Sequence, residues 1–350
     1  MQFCRYLALC GLVLLSCDGS VEAKEFRIGV LYWSMNIPGQ VAMRYGLEDE
    51  ATWINTAARH SGDATVALVT RVAGDGSEGI ENQIRQMQEL VAAGLDLIIV
   101  QPTDNAALAI PLRQANTAGI PVIAYDQYID GGTLAAYRTS DNFQAGFLDG
   151  EYIASRFPTE KEIQIILVEY PHVSSTVERV NGFIEALDKA GHKYKILKTY
   201  TAVEPVAGKK AGEDIVKDFP ATGSVDVVFT INDGGGLAVV DVLAAAGRTE
   251  ILVATIDGDP QSVANIKSGR LTVIDSAQYC GPLGAETMKA AYALLKGEKP
   301  PFHALVPVFP ITAETLGLYT GWSGPVAENF TKPWKSTSPE WRSSLKVIQP

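Results

Sequence analysis

The chain has 350 residues and a formal net charge of −11, with 47% hydrophobic and 20% charged residues. A disordered chain would hold fewer apolar residues, and a nucleic-acid-binding domain would carry a basic footprint. The composition therefore excludes both classes at the level of the whole chain. The length is enough for two globular domains of ordinary size.

The N-terminus has the pattern of an export signal, which we place at residues 1–23. Its apolar stretch, Tyr6–Leu15, is too short to span a bilayer. The small residues Val21 and Ala23 predict ordinary cleavage and release into the periplasm. A loose lipobox ending at Cys17 leaves open the alternative of a lipid-anchored protein.

Cysteine and histidine are too few for a disulfide framework or a zinc site. Three of the four cysteines lie in the signal region, so the mature chain keeps Cys280, joined by Cys17 if that residue is lipidated. The four histidines form no cluster with cysteines. We therefore expect no structural metal and no cofactor.

Apolar runs alternate with amphipathic ones from residue 24 onward. In the first half the predicted strands are 26–32, 65–70, 97–100 and 120–125, and the predicted helices are 42–58, 78–93, 106–118. Continuous apolar strands that alternate with helices of this length predict a parallel sheet covered on both faces.

The pattern starts afresh in the second half. The predicted helices are 151–156, 177–190, 207–219, 235–246, 260–268 and 284–295, and the predicted strands are 164–169, 195–200, 225–230, 251–256 and 271–276. Two successive α/β runs of similar size predict two similar lobes. The segment after residue 320 is rich in Trp, Pro and Ser, and we expect an extended strap with no further domain.

Polar and aromatic residues follow the predicted strands at their carboxyl ends, where open parallel sheets bind ligands. They are Tyr32, Trp33 and Asn36 after the first strand, Asp126 and Gln127 after the fourth, and Asn232, Asp257 and Gln278 in the second half, with Arg179 near the start of a helix. Carboxylates, amides and a guanidinium can pair with vicinal hydroxyls, and aromatic faces cover sugar rings. This set predicts a cleft that binds a polyol.

Each of these residues also has an ordinary structural interpretation. Asp126, Asp257 or Asn232 could be a helix cap or a loop residue, and Arg179 could be a solvated charge. Tyr32 and Trp33 could belong to the core. We interpret Asp104 as the cap of the helix that begins at 106 and leave it out of the site.

Catalytic motifs are weaker than the binding pattern. The sequence contains no GxGxxG after a strand, no Walker A pattern and no GxSxG elbow. Gly234-Gly235-Gly236 opens a helix, but the Lys and Ser/Thr partners of a phosphate loop are missing. We therefore expect a binding protein and not an enzyme.

Several motifs together resemble the periplasmic sugar-binding proteins of the ribose/galactose-binding type. The stretches that carry the resemblance are 100–104 (VQPTD), 115–126 (ANTAGIPVIAYD), 139–142 (TSDN), 150–154 (GEYIA), 178–183 (ERVNGF), 231–233 (IND) and 256–258 (IDG). They occur in the family's order and lie within residues 26–312.

The resemblance implies the type I periplasmic binding protein fold, α/β with two Rossmann-like lobes joined by a three-segment hinge. The crossing segments would lie near 138–142, 276–278 and 306–310. The N-lobe would comprise 25–138 plus 279–306, the C-lobe 139–278 plus 307–320, and residues 321–350 a C-terminal extension.

The resemblance also places ligand-binding positions. It puts Asp126, Arg179, Asn232, Asp257 and Gln278 at the family's hydrogen-bonding positions, and it puts Gln127 where ribose binders have Arg. The aromatic pair of the first loop is replaced by Gly39-Gln40, and Glu204 lies near the place of a missing C-lobe aromatic. These departures argue against ribose itself. The candidate ligand-binding residues are Tyr32, Trp33, Asn36, Gln40, Asp126, Gln127, Arg179, Asn232, Asp257 and Gln278.

The expected function is capture of a monosaccharide or related polyol and delivery to an ABC importer. The altered first loop keeps open an alternative, a periplasmic sensor subunit that reports to a membrane histidine kinase or chemoreceptor. An enzyme of periplasmic carbohydrate metabolism or a repressor-like domain ranks third, and a repressor would carry a helix-turn-helix where this chain has a signal. We expect a monomer whose partners are a small ligand and a membrane permease or sensor kinase, with no nucleic acid.

Overall fold

Apolar strands and amphipathic helices alternate in the computed structural model, which describes residues 24–349. The first sheet contains, in spatial order, β2 (Thr65–Val72), β1 (Glu25–Tyr32), β3 (Leu97–Val100), β4 (Val122–Tyr125), β5 (Ala136–Ser140), β11 (His303–Val306) and β15 (Lys346–Ile348). All neighbours in this sheet are parallel except β15, which runs antiparallel to β11.

The second sheet repeats this plan. Its strands, in spatial order, are β7 (Tyr194–Thr201), β6 (Ile163–Glu169), β8 (Val227–Thr230), β9 (Leu252–Asp257), β10 (Thr272–Gln278) and β12 (Val308–Thr312). Only β12 is antiparallel to its neighbour, β10. The predicted α/β fold with two parallel-sheet lobes is confirmed.

Helices cover both faces of each sheet. The first sheet is flanked by α1 (Pro38–Ser61), α2 (Gly76–Ala92), α3 (Ala109–Thr117) and α9 (Cys280–Leu295). The second is flanked by α4 (Asn142–Ser155), α5 (Ser174–Lys189), α6 (Pro205–Asp218), α7 (Asp233–Ala245) and α8 (Pro260–Ser268). Because both faces are covered, the central strands are buried throughout and read as continuous apolar runs, as in β3 and β8. None of the helices within residues 24–349 is both long and apolar enough to cross a membrane.

Several helices begin earlier than the apolar periodicity predicts. Helix α1 begins at Pro38 and not at residue 42, and α5 begins at Ser174 and not at residue 177. Their first turns are polar or small and face the other lobe, so they lack the apolar spacing on which the prediction depends. Pro38 at the first helical position was a usable start signal, since its fixed φ suits that position.

Helix α4 was predicted only from residue 151, although it begins at Asn142. Nearly all of it is buried, so it has no polar face and no amphipathic pattern. It packs closely on α5, because a Cβ at Gly146 would lie 1.8 Å from the carbonyl oxygen of Arg179, and one at Gly182 would lie 2.0 Å from that of Phe143. This close contact fixes the helix that carries Arg179.

Before the C-terminal tail, the chain passes between the two sheets three times. It leaves the first sheet after β5, returns after β10 into α9, and leaves again between β11 and β12, which only Pro307 separates. The boundary predicted after Arg138 falls inside β5, which stays in the first sheet to Ser140.

The C-terminal tail, residues 321–349, lies across both lobes. It includes a small ribbon of β13 (Phe330–Thr331) and β14 (Glu340–Trp341), and it ends in β15. Trp341 is 4% exposed and packs against Phe309 and Phe330. The tail has little regular structure, and its aromatic side chains pack against the main hydrophobic core of the lobes.

Candidate ligand-binding site

A narrow cavity of about 30 Å³ lies between the carboxyl ends of the two sheets. The first lobe lines it with Trp33, Ile37, Gly39, Gln40, Met43, Asp126 and Gln127. The second lobe lines it with Ser175, Thr176, Arg179, Val203, Asn232, Asp257 and Gln278.

One aspartate at the end of a strand in each lobe reaches this cavity. Asp126 follows β4 and Asp257 ends β9, and both have positive φ values, 63° and 133°. Positive φ is uncommon outside glycine, and such strained backbone concentrates at functional sites. The two residues therefore occupy equivalent, strained positions that direct their carboxylates toward the cleft.

In the second lobe, Arg179 and Asp257 form the centre of a buried hydrogen-bond network. Arg179 Nη1 donates to Asp257 Oδ1 at 3.2 Å and to the carbonyl of Ile231 at 2.7 Å, while its Nε donates to Asn142 Oδ1 at 3.0 Å. Gln278 Nε2 also donates to Asp257 Oδ1, at 2.7 Å. This half of the cavity is held in place by its own side chains.

Burial controls the protonation of these acids. Burial raises the pKa of Asp257 to about 6, although the Arg179 guanidinium and the Gln278 amide oppose the rise. Burial also raises the pKa of Asp126, again opposed by Arg179. Both carboxyls therefore bind a proton more readily than exposed aspartates do.

Three more acids are buried beneath the second-lobe half: Asp149, Asp233 and Asp275. Burial raises the pKa of Asp275 to about 8, and the neighbouring Asp233 carboxyl is close enough to share its proton. Two carboxyl groups can bond to each other only if one of them holds a proton. The backbone N–H of Gly258 donates to Asp275 Oδ1 at 2.9 Å, so this pair supports the loop that follows Asp257.

The first-lobe half is less completely paired. Asp126 Oδ2 accepts from Gln101 Nε2 at 2.9 Å, but its Oδ1 is buried and has no partner within residues 24–349. Trp33, which is 3% exposed, forms a wall of the cavity and approaches Tyr170 of the other lobe with ring centroids 6.1 Å apart. This half offers an aromatic face and an unpaired acceptor.

Direct hydrogen bonds also join the two lobes beside the cavity. Gln127 Oε1 accepts from the backbone N–H and the hydroxyl of Ser175, at 3.2 Å and 2.7 Å. Asn105 accepts from the N–H of Ser174 at 3.0 Å, and the N–H of Tyr128 donates to the Ser174 hydroxyl at 3.0 Å. The lobes are therefore in contact, and Gln127 uses its side-chain oxygen for that contact.

Eight of the ten sequence-predicted residues line the cavity, and two lie elsewhere. Tyr32 belongs to the core, where its hydroxyl donates to Glu48 at 3.1 Å. Asn36 lies outside the cavity and donates to Asp75 at 2.7 Å. Asn232 lines the cavity, and its Oδ1 also caps α7 by accepting from the N–H of Gly235.

Sequence reasoning missed six lining residues. Ile37, Gly39 and Met43 lie at or near the start of α1, Ser175 and Thr176 lie in the first turn of α5, and Val203 lies just before α6. In parallel sheets, the N-termini of the helices that follow the strands point into the ligand cleft. Correctly predicted helix starts would therefore have identified most of the missed lining residues. Within the described range, no group of His, Cys, Asp and Glu has the arrangement of a metal site.

The fold and the shared cavity define a two-lobed solute-binding protein, and comparisons with known proteins identify its family. A sequence profile of the periplasmic binding protein domain matches residues 28–299. The ribose import binding protein of Escherichia coli is 27% identical over 301 residues, which cover 85% of this chain and 95% of that protein.

Solved structures are similar in fold. A D-allose-bound ABC transporter periplasmic solute binding protein from Actinobacillus succinogenes has a TM-score of 0.70 at 22% identity, covering 84% of this chain and 100% of that one. The myo-inositol binding protein of Caulobacter has a TM-score of 0.71 at 24% identity, covering 84% and 96%. The chain belongs to the periplasmic binding protein family, so the predicted family and class of function are confirmed.

Proposed function

We propose that this chain captures one small polyhydroxylated ligand, a monosaccharide or related polyol, between its lobes and delivers it to an ABC importer. The observation that carries the proposal is a cavity whose polar lining comes from both sheets. A ligand that bonds to both halves stabilises the closed state to the extent that it binds the closed state more tightly than the open state.

The lining has the chemistry that a sugar or polyol requires. Asp126 and Asp257 supply acceptors, Arg179 and Asn232 supply donors, and the Trp33 ring supplies an apolar face. The ligands named for the relatives, ribose, D-allose and myo-inositol, are all of this class.

The proposed mechanism is a hinge motion about the three crossing segments. We assign the N-lobe to residues 25–140 and 279–306 and the C-lobe to residues 141–278 and 307–320, because β5 stays in the first sheet to Ser140. Opening would separate Asp126 from Arg179, and closure would exclude water from the polar contacts.

The Escherichia coli relative is named as an import protein, which favours the importer over the sensor. We further propose export to the periplasm through the N-terminal signal, which lies outside the described residues, and docking on the membrane partner as a monomer. Binding without turnover is part of the proposal, so a bound sugar should be recovered unchanged.

A thermal-shift panel of pentoses, hexoses, polyols and furanoses tests the proposal. A ligand at a hundred times its Kd stabilises the native state by about 2.7 kcal/mol, which raises the Tm. We expect at least one member of the panel to raise the Tm. The protein should also promote uptake of that ligand by membranes that hold the cognate permease. A panel without any shift, or chemical conversion of the bound sugar, contradicts the proposal.

A further inference from the structure

The cavity has an excess of negative charge. Two carboxylates, Asp126 and Asp257, face it, and Arg179 is the one cationic side chain among the described residues that lines it. At position 127, next to Asp126, the side chain is the neutral amide of Gln127. With both carboxyls ionised, the lining has a formal charge of −1.

Arg179 is committed to Asp257. Its Nη1 lies 3.2 Å from Asp257 Oδ1, and its other contacts are Asn142 and the Ile231 carbonyl. The two side chains of this ion pair are 3% and 6% exposed. The pair therefore balances its own charge, and Asp126, which feels the Arg179 charge at longer range, forms no ion pair within the described residues.

Asp126 is 3% exposed, and the neutral amide of Gln101 is its hydrogen-bond partner at 2.9 Å. Its second oxygen, Oδ1, is buried without a partner within the described chain. A buried acceptor of this kind is costly to leave unpaired, and a buried charge is costly without an opposite charge. A ligand hydroxyl would satisfy only the first requirement.

Resting on the proposed function, we propose that the ligand carries a protonated amino group that binds Asp126, as an amino sugar or an amino polyol does. The ammonium donates to Oδ1 and neutralises the carboxylate in one contact. Charge-assisted hydrogen bonds of this kind are about twice as strong as neutral ones.

Titration calorimetry on the full mature chain tests this, with each amine compared with its own neutral parent. Suitable pairs are D-galactosamine with D-galactose, D-glucosamine with D-glucose, and an amino-inositol with myo-inositol. We expect at least one amine to bind about tenfold or more tightly than its parent. The preference should disappear in Asp126→Asn, which keeps the shape of the side chain and removes its charge.

Asp130→Asn is the matched control, since Asp130 is an exposed acid in the same lobe, and this variant should keep the preference. If neutral parents bind as tightly as their amines or more tightly, the inference is wrong while the proposed function stands. If no compound of either kind binds, the inference is wrong, and the thermal-shift panel decides the proposed function separately. A preference that survives in Asp126→Asn also overturns the inference.

A different observation carries a second inference, about the C-terminal tail. Trp322 Nε1 donates to the carbonyl of Asp257 at 2.6 Å. Lys332 forms an ion pair with Glu151 of α4, and the two side chains are 1% and 3% exposed. Further along, Trp341 Nε1 donates to the carbonyl of Val308, in a crossing segment, at 2.7 Å.

The end of the tail is fixed to the other lobe. β15 pairs with β11 at the edge of the first sheet, and Lys346 Nζ lies 3.4 Å from Asp141, beside the first crossing segment. We infer that the tail is a brace across the hinge that limits how far the lobes open. Its anchors on both lobes must stretch or detach when the lobes rotate apart.

Ending the chain after Ser344 removes β15 and leaves Trp341 in place, and ending it after Ile348 is the matched control. In the ligand-free protein, we expect the first truncation to increase the distance between labels on the two lobes and to speed ligand dissociation. The control should match the full chain. If the truncation after Ser344 folds and has the label distance and dissociation rate of the full chain, the brace is excluded. If this truncation cannot fold, β15 is part of the fold itself, and the brace is excluded as well.

Discussion

The two halves of the cavity follow the same plan but differ in charge pairing, because Asp257 forms an ion pair with Arg179 and Asp126 forms none within the described residues. In the C-lobe half, Arg179, Asp257 and Gln278 bond to one another and to the surrounding backbone. In the N-lobe half, Asp126 keeps one oxygen unpaired beside the Trp33 wall. The difference indicates that the C-lobe half is preformed and orients the ligand, while the N-lobe half completes the site on closure.

The variant with the largest expected effect removes the centre of the C-lobe hydrogen-bond network. Arg179→Ala leaves Asp257 buried without its cation, and truncating one member of a buried charged pair costs about 2–5 kcal/mol. We expect ligand affinity to fall by about thirtyfold to several thousandfold. Calorimetry with the ligand found by the thermal-shift panel measures the loss.

Arg248→Ala is the matched control for that variant. Arg248 is also buried in the C-lobe, but it bonds to Phe219 and Glu250 and does not line the cavity. It should lower stability and leave affinity unchanged. Full affinity in Arg179→Ala would remove the basis for placing the site here.

The wall of the N-lobe half gives a smaller effect. Trp33→Leu removes the aromatic face while keeping an apolar side chain, and aromatic contacts contribute about 0.5–1.5 kcal/mol beyond their buried area. We expect a roughly tenfold loss of affinity. Trp53→Leu serves as the control, because Trp53 lies on α1 in the same lobe and is 66% exposed; equal losses in the two variants would contradict the role of Trp33.

Disrupting the contact between the halves should lower affinity by an amount similar to that of the Trp33 change. Gln127→Ala removes the two hydrogen bonds from Ser175, each contributing about 0.5–1.5 kcal/mol. We expect affinity to fall several-fold and the open population, measured by small-angle scattering, to rise. Adding Ser175→Ala should cause little further loss, since the two variants disrupt the same contact. Additive losses would show that Gln127 acts on the ligand instead.

The sequence predicted the two-lobed fold and most polar lining residues for one physical reason. A buried strand is visible in the sequence as an apolar run, and the end of the run marks the carboxyl end of the strand. Asp126, Asp257 and Gln278 come at such ends and could therefore be placed at the cleft. The sequence could not show which of Tyr32 and Trp33 lines the cavity, because neighbouring residues at a strand end differ only in the face of the sheet toward which they point. Gly39 and Ser175 were missed because cleft-facing first turns of helices carry no apolar periodicity.

Buried acids beneath the C-lobe half make that half sensitive to pH. The pKa of Asp275 is raised to about 8 by burial, against about 3.9 for an exposed aspartate. The folded state therefore holds this proton more tightly than the unfolded chain does. The resulting stabilisation is complete below about pH 4 and is lost as the pH rises through about 8.

Asp275→Asn tests this pH dependence. The amide can donate to Asp233 without a titrating proton, so the Tm of the variant should fall less than that of the wild type between about pH 5 and about pH 9. Asp188→Asn, an exposed acid of the same lobe, should behave as the wild type does. Equal declines in all three proteins would mean that the Asp233–Asp275 pair holds no proton at neutral pH. The C-lobe half would then owe its rigidity to the Arg179 network alone.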